Sequence, residues 1–284
     1  MIFKPGLYIV STPIGNLDDI TFRALETLKN STIILCEDTR ISRKLLAKHN
    51  IKTKLQIYND HSDSQEREVI CTLIDNGAVV SLISDAGTPL ISDPGYKLVR
   101  QLRKLNYHID VIPGVSALTT AITISGLPSD RFLFAGFLPK TIEGKKKIFT
   151  ELANIKATLI FFETASRIEQ SLHTALDVLG NREVCVAREL TKFHQEVKSG
   201  LMENVINFYK QNVIKGEIVL LISSTSEGVN ATTLADDLKK FIHSYLSKGW
   251  SARSITDMAN ENFGRSYSKK EIYAVVNKIK SLSD

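Results

Sequence analysis

Strand-like apolar runs without a polar face, each followed by a helix-length segment, constrain this chain more than any other feature. They fall at residues 7–12, 33–36, 54–58, 78–83 and 109–112. Strands buried on both faces belong in a mostly parallel sheet with helices on either side. Between the first two runs, Ile20, Ala24, Leu25 and Leu28 repeat at helical spacing. A small-residue helix at 115–125 ends in the turn formers Gly126, Pro128, Ser129 and Asp130, which read as a boundary. The rhythm then resumes with runs at 132–137, 158–162, 183–187 and 218–222. The expected fold class is therefore α/β, with two tandem α/β domains at 1–126 and 127–224. Residues 223–233, rich in Ser, Thr, Gly and Asn, read as a linker. Three short helices are expected over 231–284, as a helix-turn-helix-like module. Gly249 can end the first, and Ser268 with Glu271 forms a capping box for the last.

Composition narrows the class. Apolar residues at 43% and charged residues at 24% suit a globular protein with sizeable cores, and no apolar run reaches membrane-span length. The first strand follows Met1 so closely that no signal peptide is expected. Cys36, Cys71 and Cys185 are scattered and form no CxxC pair. Reduced core thiols in a cytoplasmic protein are the expectation, with neither disulfides nor a metal site. The histidines, His61, His108, His173 and His194 among them, show no ligand spacing. A net charge of +5 permits a polyanionic partner without requiring one. Lys140, Lys145, Lys146 and Lys147 cluster in what reads as one loop, and 231–284 carries nine Lys and Arg against six Asp and Glu.

Four segments follow strands and should gather at one sheet edge, where open α/β sheets bind ligands. They are Thr12-Pro13-Ile14-Gly15-Asn16-Leu17, Glu37-Asp38-Thr39-Arg40, Asp85-Ala86-Gly87-Thr88-Pro89 and Pro113-Gly114-Val115-Ser116-Ala117. None is a Walker loop or a GxGxxG turn, so a triphosphate or dinucleotide site has little support. Close backbone approach, hydroxyls and a carboxylate better suit a ligand with an amino acid part, a ribose and a cationic centre. Downstream of Asp85, Asp93 reads as a helix N-cap.

The motif set TPIGNL, EDTR, SDAGTPLISDPG, PGVSA, GLPSDRF, ARELTK and KGEIVLLI resembles the tetrapyrrole-methylase-like (class III) S-adenosylmethionine-dependent methyltransferases. Within them it is similar to the branch that methylates the ribose 2′-oxygen of a cytidine in the decoding centre of 16S ribosomal RNA. The resemblance runs from about residue 7 to 223 and more weakly through the tail. It implies two α/β domains with S-adenosylmethionine in the cleft between them, a homodimer, and 16S RNA or the small ribosomal subunit as partner. Carried over by motif, Thr12, Pro13, Asp85, Gly87, Thr88, Ser116 and Ala117 would contact the cofactor from the first domain. Phe162, Arg188, Glu217 and Ile218 would do so from the second. One departure stands out: relatives often read FYES-x-HR where this chain has Phe161-Phe162-Glu163-Thr164-Ala165-Ser166-Arg167, so Ser166 replaces the histidine.

Methyl transfer to a ribose hydroxyl needs in-line placement and a proton acceptor. Glu37, Asp38, Glu163 and Glu189 are the candidate acceptors. Glu163 with Arg167 and Glu189 with Arg188 are expected to face the RNA as the catalytic groups. Asp38 could equally cap the following helix. For phosphate contacts we expect Lys140 and Lys145 to Lys147 first, and Arg253, Arg265, Lys269 and Lys270 second, with Arg40 and Lys192 near the site. Tyr267 and Trp250 are the stacking candidates. Two other readings stay open: a tetrapyrrole (precorrin-type) methyltransferase, and a non-catalytic nucleic-acid-binding protein. The basic cluster and helical tail weigh against the first, and the four cleft loops against the second.

Overall fold

The computed structural model describes residues 3–59, 64–212, 214–224, 229–263 and 269–280. Contacts divide the chain into two units, 1–224 and 225–284. In the first unit, β1 (Gly6–Val10), β2 (Ile33–Cys36), β3 (Leu55–Ile57), β4 (Val79–Leu82) and β5 (Ile109–Ile112) form a sheet of order β3-β2-β4-β1-β5. Every pairing in it is parallel. Helices α1 (Phe22–Asn30), α2 (Thr39–Lys48), α3 (Ser64–Asp75) and α4 (Tyr96–Lys104) connect the strands. Two buried clusters, around Leu35 and Leu82 and around Ile34 and Val10, cover the two faces. Strands apolar on both faces thus became the central strands of a covered sheet, as their composition requires.

The second half differs from a parallel array. Its sheet has the order β6-β7-β10-β8-β9, with β6 (Phe132–Phe137) parallel to β7 (Thr158–Thr164). The pairings of β10 (Glu217–Ile222) with β7 and β8 (Glu183–Arg188), and of β8 with β9 (Glu196–Leu201), are antiparallel. The expected runs omitted β9. Its sequence, EVKSGL, has no buried residue and forms a sheet edge, so no apolar run marks it. Helix α5 (Ala117–Ser125) ends at the left-handed Gly126 and buries Ala121 and Ile122 with Ile160, Cys185 and Val219 of the second sheet. That shared cluster crosses the expected boundary at 126 and makes 1–224 one unit.

Helix α6 (Ile142–Leu152) corrects the lysine loop: Thr141 caps it, accepting from Gly144 N, so Lys145, Lys146 and Lys147 are helical. Lys145, Phe149 and Leu152 occupy one buried stripe. Helices α7 (Ile168–Leu179) and α8 (Met202–Gln211) complete the unit. In the second unit, α9 (Val229–Leu246), α10 (Ala252–Phe263) and α11 (Lys269–Lys280) share a core of Leu238, Ile242, Ile255, Ala259, Ile272, Val276 and Ile279. Gly249, at φ +78°, donates to Leu246 O beyond the end of α9. Ser268 of the expected capping box lies outside the described residues. No helix among those described is long and apolar enough to cross a membrane.

Candidate active site

Parallel order places the carboxyl ends of β1, β2, β4 and β5 at one edge. In the second sheet, β6, β7 and β8 end together, beside the start of β10. Segments from both edges line one cavity of about 500 Å³, within the range typical of small-molecule sites. Of the expected cofactor contacts, Asp85, Gly87, Thr88, Ser116, Ala117, Phe162, Glu217 and Ile218 line it.

Thr12 and Pro13 do not; both are buried behind the wall. Thr12 exchanges backbone hydrogen bonds with Gly87 at 2.8 and 2.9 Å, and its Oγ1 donates to Ser84 O at 3.1 Å. It pins the first loop to the third. Gly87, at φ +82°, occupies the left-handed region open to glycine at little cost. Thr88 Oγ1 bonds to Ser11 Oγ and donates to Val115 O, tying in the fourth loop.

Asp93 corrects a sequence expectation. Helix α4 begins at Tyr96, its cap position is Gly95, and no side chain caps it. Asp93 lines the cavity instead. Leu90 and Ser92 hold left-handed φ values of +74° and +65°, strain of the kind that gathers at functional loops. Burial pushes the Asp93 carboxyl up to about 6, against hydrogen bonding to Ser84 and with repulsion from Glu37 and Asp85. Burial also raises Asp85, whose Oδ1 accepts from Asp38 N at 3.2 Å. Asp38 caps α2, accepting from Arg40 N at 2.7 Å. Its side-chain pair with Arg40, 2.6 Å apart, holds the carboxyl at about 2.

On the opposite wall, Glu163 lies buried at the end of β7. Its Oε1 receives Thr164 N at 2.7 Å and Arg167 Nη2 at 2.6 Å, and its Oε2 receives Ser171 Oγ at 2.7 Å. Lys145 Nζ lies 3.8 Å from Oε2 and donates to Gln170 Oε1. Burial depresses the Lys145 ammonium despite this carboxylate. Lys145 is therefore not a surface cation, a correction to its expected role at phosphate. Ser166, at the departed histidine position, is exposed and bonds to Thr164 Oγ1 at 3.3 Å.

Glu189 lines the cavity, and its partner is Lys192 at 2.9 Å rather than Arg188. Lys192 also meets Glu217 at 2.8 Å, while Glu189 Oε1 accepts from Glu217 N. These contacts hold the Glu189 carboxyl below its usual range against the opposing effect of burial. Arg188 does not line the cavity; it donates to Lys215 O and lies 3.7 Å from Glu196 on β9. Arg188 is the last residue of β8, whereas Glu189 already lies beyond it at a left-handed φ of +48°.

Lys140, Lys146, Lys147, Arg253 and Lys269 are exposed, with Lys269 paired to Asp257 at 2.7 Å. Arg253 and Lys269 line one depression of the second unit. Arg265 and Tyr267 lie outside the described residues, as does the side chain of Lys270. Trp250 packs edge-on to Tyr245. Glu37, a candidate proton acceptor, and Ile14 of the first loop line the cavity, and so do Ser92, Leu118 and Phe137, which were not named as contacts. Only their nearness to the strand ends marked them.

The two walls interlock at Gly15. Asn16 N donates to Thr191 Oγ1 at 3.0 Å, and a Cβ at Gly15 would lie 2.5 Å from Lys192 Cγ and 2.9 Å from Leu190 O. Gly15→Val is expected to force the walls apart and lose most cofactor binding, at a stability cost of about 1–3 kcal/mol. Calorimetric titration and chemical unfolding would measure both; unchanged binding would show that the contact is dispensable.

The family model described as Tetrapyrrole (Corrin/Porphyrin) Methylases matches residues 6–206. A Rickettsia prowazekii (strain Madrid E) protein, Ribosomal RNA small subunit methyltransferase I, is 66% identical over 280 residues, covering 99% of both chains. The Bacillus subtilis (strain 168) protein of the same name is 35% identical, covering 94% of this chain and 92% of its own. Among solved structures, the methyltransferase CobJ aligns with TM-score 0.59 at 17% identity, over 78% of this chain and 94% of its own. Diphthine synthase aligns with TM-score 0.61 at 13% identity, over 78% and 90%. At those identities the structures establish the fold alone. Family match and full-length relatives together establish that the chain belongs to the tetrapyrrole methylase family and is a methyltransferase.

Proposed function

We propose that this methyltransferase uses S-adenosylmethionine to methylate the ribose 2′-oxygen of a decoding-centre cytidine in 16S ribosomal RNA, in the cytoplasm. The observation that carries the cofactor reading is the pair of unlike walls around the cavity. Asp85 and Asp93 supply carboxylates on one side, and Phe137, Phe162 and Val219 an apolar surface on the other. A ligand with an ammonium, a sulfonium and an aromatic base fits that division. Its positive charges would offset the repulsion and burial that raise both carboxyls. The RNA reading rests on the names of the full-length relatives and on the motif resemblance. The homodimer implied by that resemblance belongs to the same proposal.

S-adenosylmethionine supplies an electrophilic methyl group on a cationic sulfur. The protein's residues orient the partners and handle the proton. Asp85, Gly87 and Thr88 hold the cofactor's polar end, while Phe162 and Ile218 hold its base. Glu163 and Glu189, whose oxygens already receive several donors, act with Arg167 and Arg188 as positioning groups that keep the strand ends in place. Proton acceptance then falls to the carboxylates on the first wall. Positioning supplies most of the rate, and the acceptor contributes about 10²–10⁴-fold.

The test is transfer of labelled methyl to purified small subunits lacking the modification, followed by nucleoside analysis. One 2′-O-methylcytidine in the decoding region is expected. Asp85→Asn should weaken cofactor binding about tenfold or more, as loss of a charge-assisted contact. Cofactor binding without transfer to RNA, and with transfer to a precorrin, would replace the RNA by a tetrapyrrole. Absence of cofactor binding would favour the non-catalytic nucleic-acid-binding alternative.

A further inference from the structure

Phe193 is 96% exposed. It stands on the turn between β8 and β9, and its chain neighbours Glu189, Leu190 and Lys192 line the cavity. Phe22 is almost equally exposed, but none of its chain neighbours lines the cavity. Exposure alone is common for single apolar residues; the support beneath this one is less so. Glu189 and Thr191 hold left-handed φ values of +48° and +63°. Thr191 N donates to Gln195 Oε1 at 2.6 Å, and Gln195 N returns to Lys192 O. Lys192 is tied to Glu189 and Glu217, and Thr191 to Asn16 of the other wall. The His194 ring meets Phe193 edge-on at 5.0 Å. A strained, cross-tied turn thus presents an apolar ring to solvent next in the chain to Lys192, which lines the cavity.

Cations at the same edge are unevenly divided. The first wall lines the cavity with Glu37, Asp85 and Asp93 and, among the described residues, with no Lys or Arg, whereas Glu163, Glu189 and Glu217 of the second wall are paired with Arg167 and Lys192. The second sheet's edge carries exposed Lys140 after β6 and exposed Lys215 before β10, and Phe137, 58% exposed, ends β6. Alternating aromatics and cations are how proteins hold unpaired nucleic acid, with bases on rings and phosphates on amines. A second copy of the chain would need no such interleaving.

We infer that Phe193 is a stacking platform for a nucleobase of single-stranded RNA next to the nucleotide in the cavity, with Lys140 and Lys215 along the phosphate path. The inference rests on the RNA reading above. The turn's backbone is fixed while the ring itself meets solvent, so a stacked base adds contact outside the cavity and its contribution appears as substrate affinity.

The test uses the full chain, small subunits lacking the modification, and Phe193→Ala, Phe193→Leu and Phe193→Trp. Phe193 is exposed, so all three should fold. Phe193→Ala should raise KM for the subunits about tenfold, within the range measured for lost base stacking. Its affinity for S-adenosylmethionine should stay unchanged, Phe193→Trp should retain near-normal KM, and Phe193→Leu should behave like alanine. An unchanged KM in Phe193→Ala, or full rescue by leucine, would overturn the stacking role. So would a shift to monomer in sedimentation of Phe193→Ala alone, which would assign the ring to an interface between copies. Failure of the unsubstituted protein to methylate RNA would reject the underlying reading and this inference with it, whereas loss confined to the variants concerns the ring.

Discussion

Glu163→Ala is expected to lose about 3–5 kcal/mol of folding stability, the range for removing one partner of a buried ion pair. Neither the Glu163 nor the Lys145 side chain is exposed. Two nitrogens and a hydroxyl donate to the carboxylate within 2.7 Å, and Lys145 meets Gln170 Oε1 and this carboxylate. Alanine would leave an ammonium buried without counter-charge and Ser171 without its carboxylate acceptor. The desolvation that already depresses Lys145 would then act unopposed by Glu163, and the amine would shed its proton more readily. Glu163→Gln keeps the shape and should cost less. Lys145→Met combined with Glu163→Gln should recover part of the loss, because no buried charge remains. Denaturant unfolding at neutral pH measures each. A cost below about 1 kcal/mol for alanine would show that water reaches the pair. A folded Glu163→Gln protein that binds cofactor normally but transfers no methyl would return Glu163 to the chemistry itself.

At Asp93 the expected sign is opposite: Asp93→Asn should stabilise the fold at pH 7 while weakening the cofactor. The folded-state carboxyl sits near 6 against 3.8 for the free group. Between those values the folded protein holds a proton that the unfolded chain has released. Stability from this group is therefore complete below about pH 4 and is lost as pH rises through 6. The gap corresponds to about 3 kcal/mol at neutral pH, an upper bound on what asparagine regains. We expect a gain of about 1–3 kcal/mol at pH 7 that shrinks to nothing near pH 4. Cofactor affinity of the unsubstituted protein should fall as pH drops below 6, and Asp93→Asn should be weak and flat across that range. Unfolding and calorimetric titration at pH 5 and 7.5 separate the two effects. Equal stability of the two proteins at pH 7 would mean that burial does not tax this carboxylate. A strained loop that carries a costly acid into a cavity gives up stability for binding.

Several features were legible because they are local. Apolar runs marked every strand of the first sheet, most plainly the central β1, β2 and β4, which are buried throughout, and Gly126 marked the end of α5. Asp85 through Thr88 read as cavity residues because they follow a buried strand, where such sheets bind ligands. The edge strand β9 was not legible, since a half-exposed strand with charges has no distinguishing apolar run. Asp93 had the composition of an N-cap, yet Gly95 intervenes and the helix starts later. Nothing nearby in the chain separates the two outcomes.

Sequence by itself determined the alternation of elements, the family and the loops that meet at the sheet edge, because periodicity and turn chemistry act over a few residues. Tertiary structure decided which charges meet solvent. Lys145 and Lys146 are neighbours of the same type, but the helix stripe buries one beside Glu163 and Gln170 and exposes the other. Glu189 found Lys192 and Glu217 rather than Arg188, because strand pairing brings the start of β10 to the end of β8. Desolvation and pairing energies are set by whatever packs around a group, and the neighbours lie 28 residues away in the chain for Glu189 and 47 for Asp85.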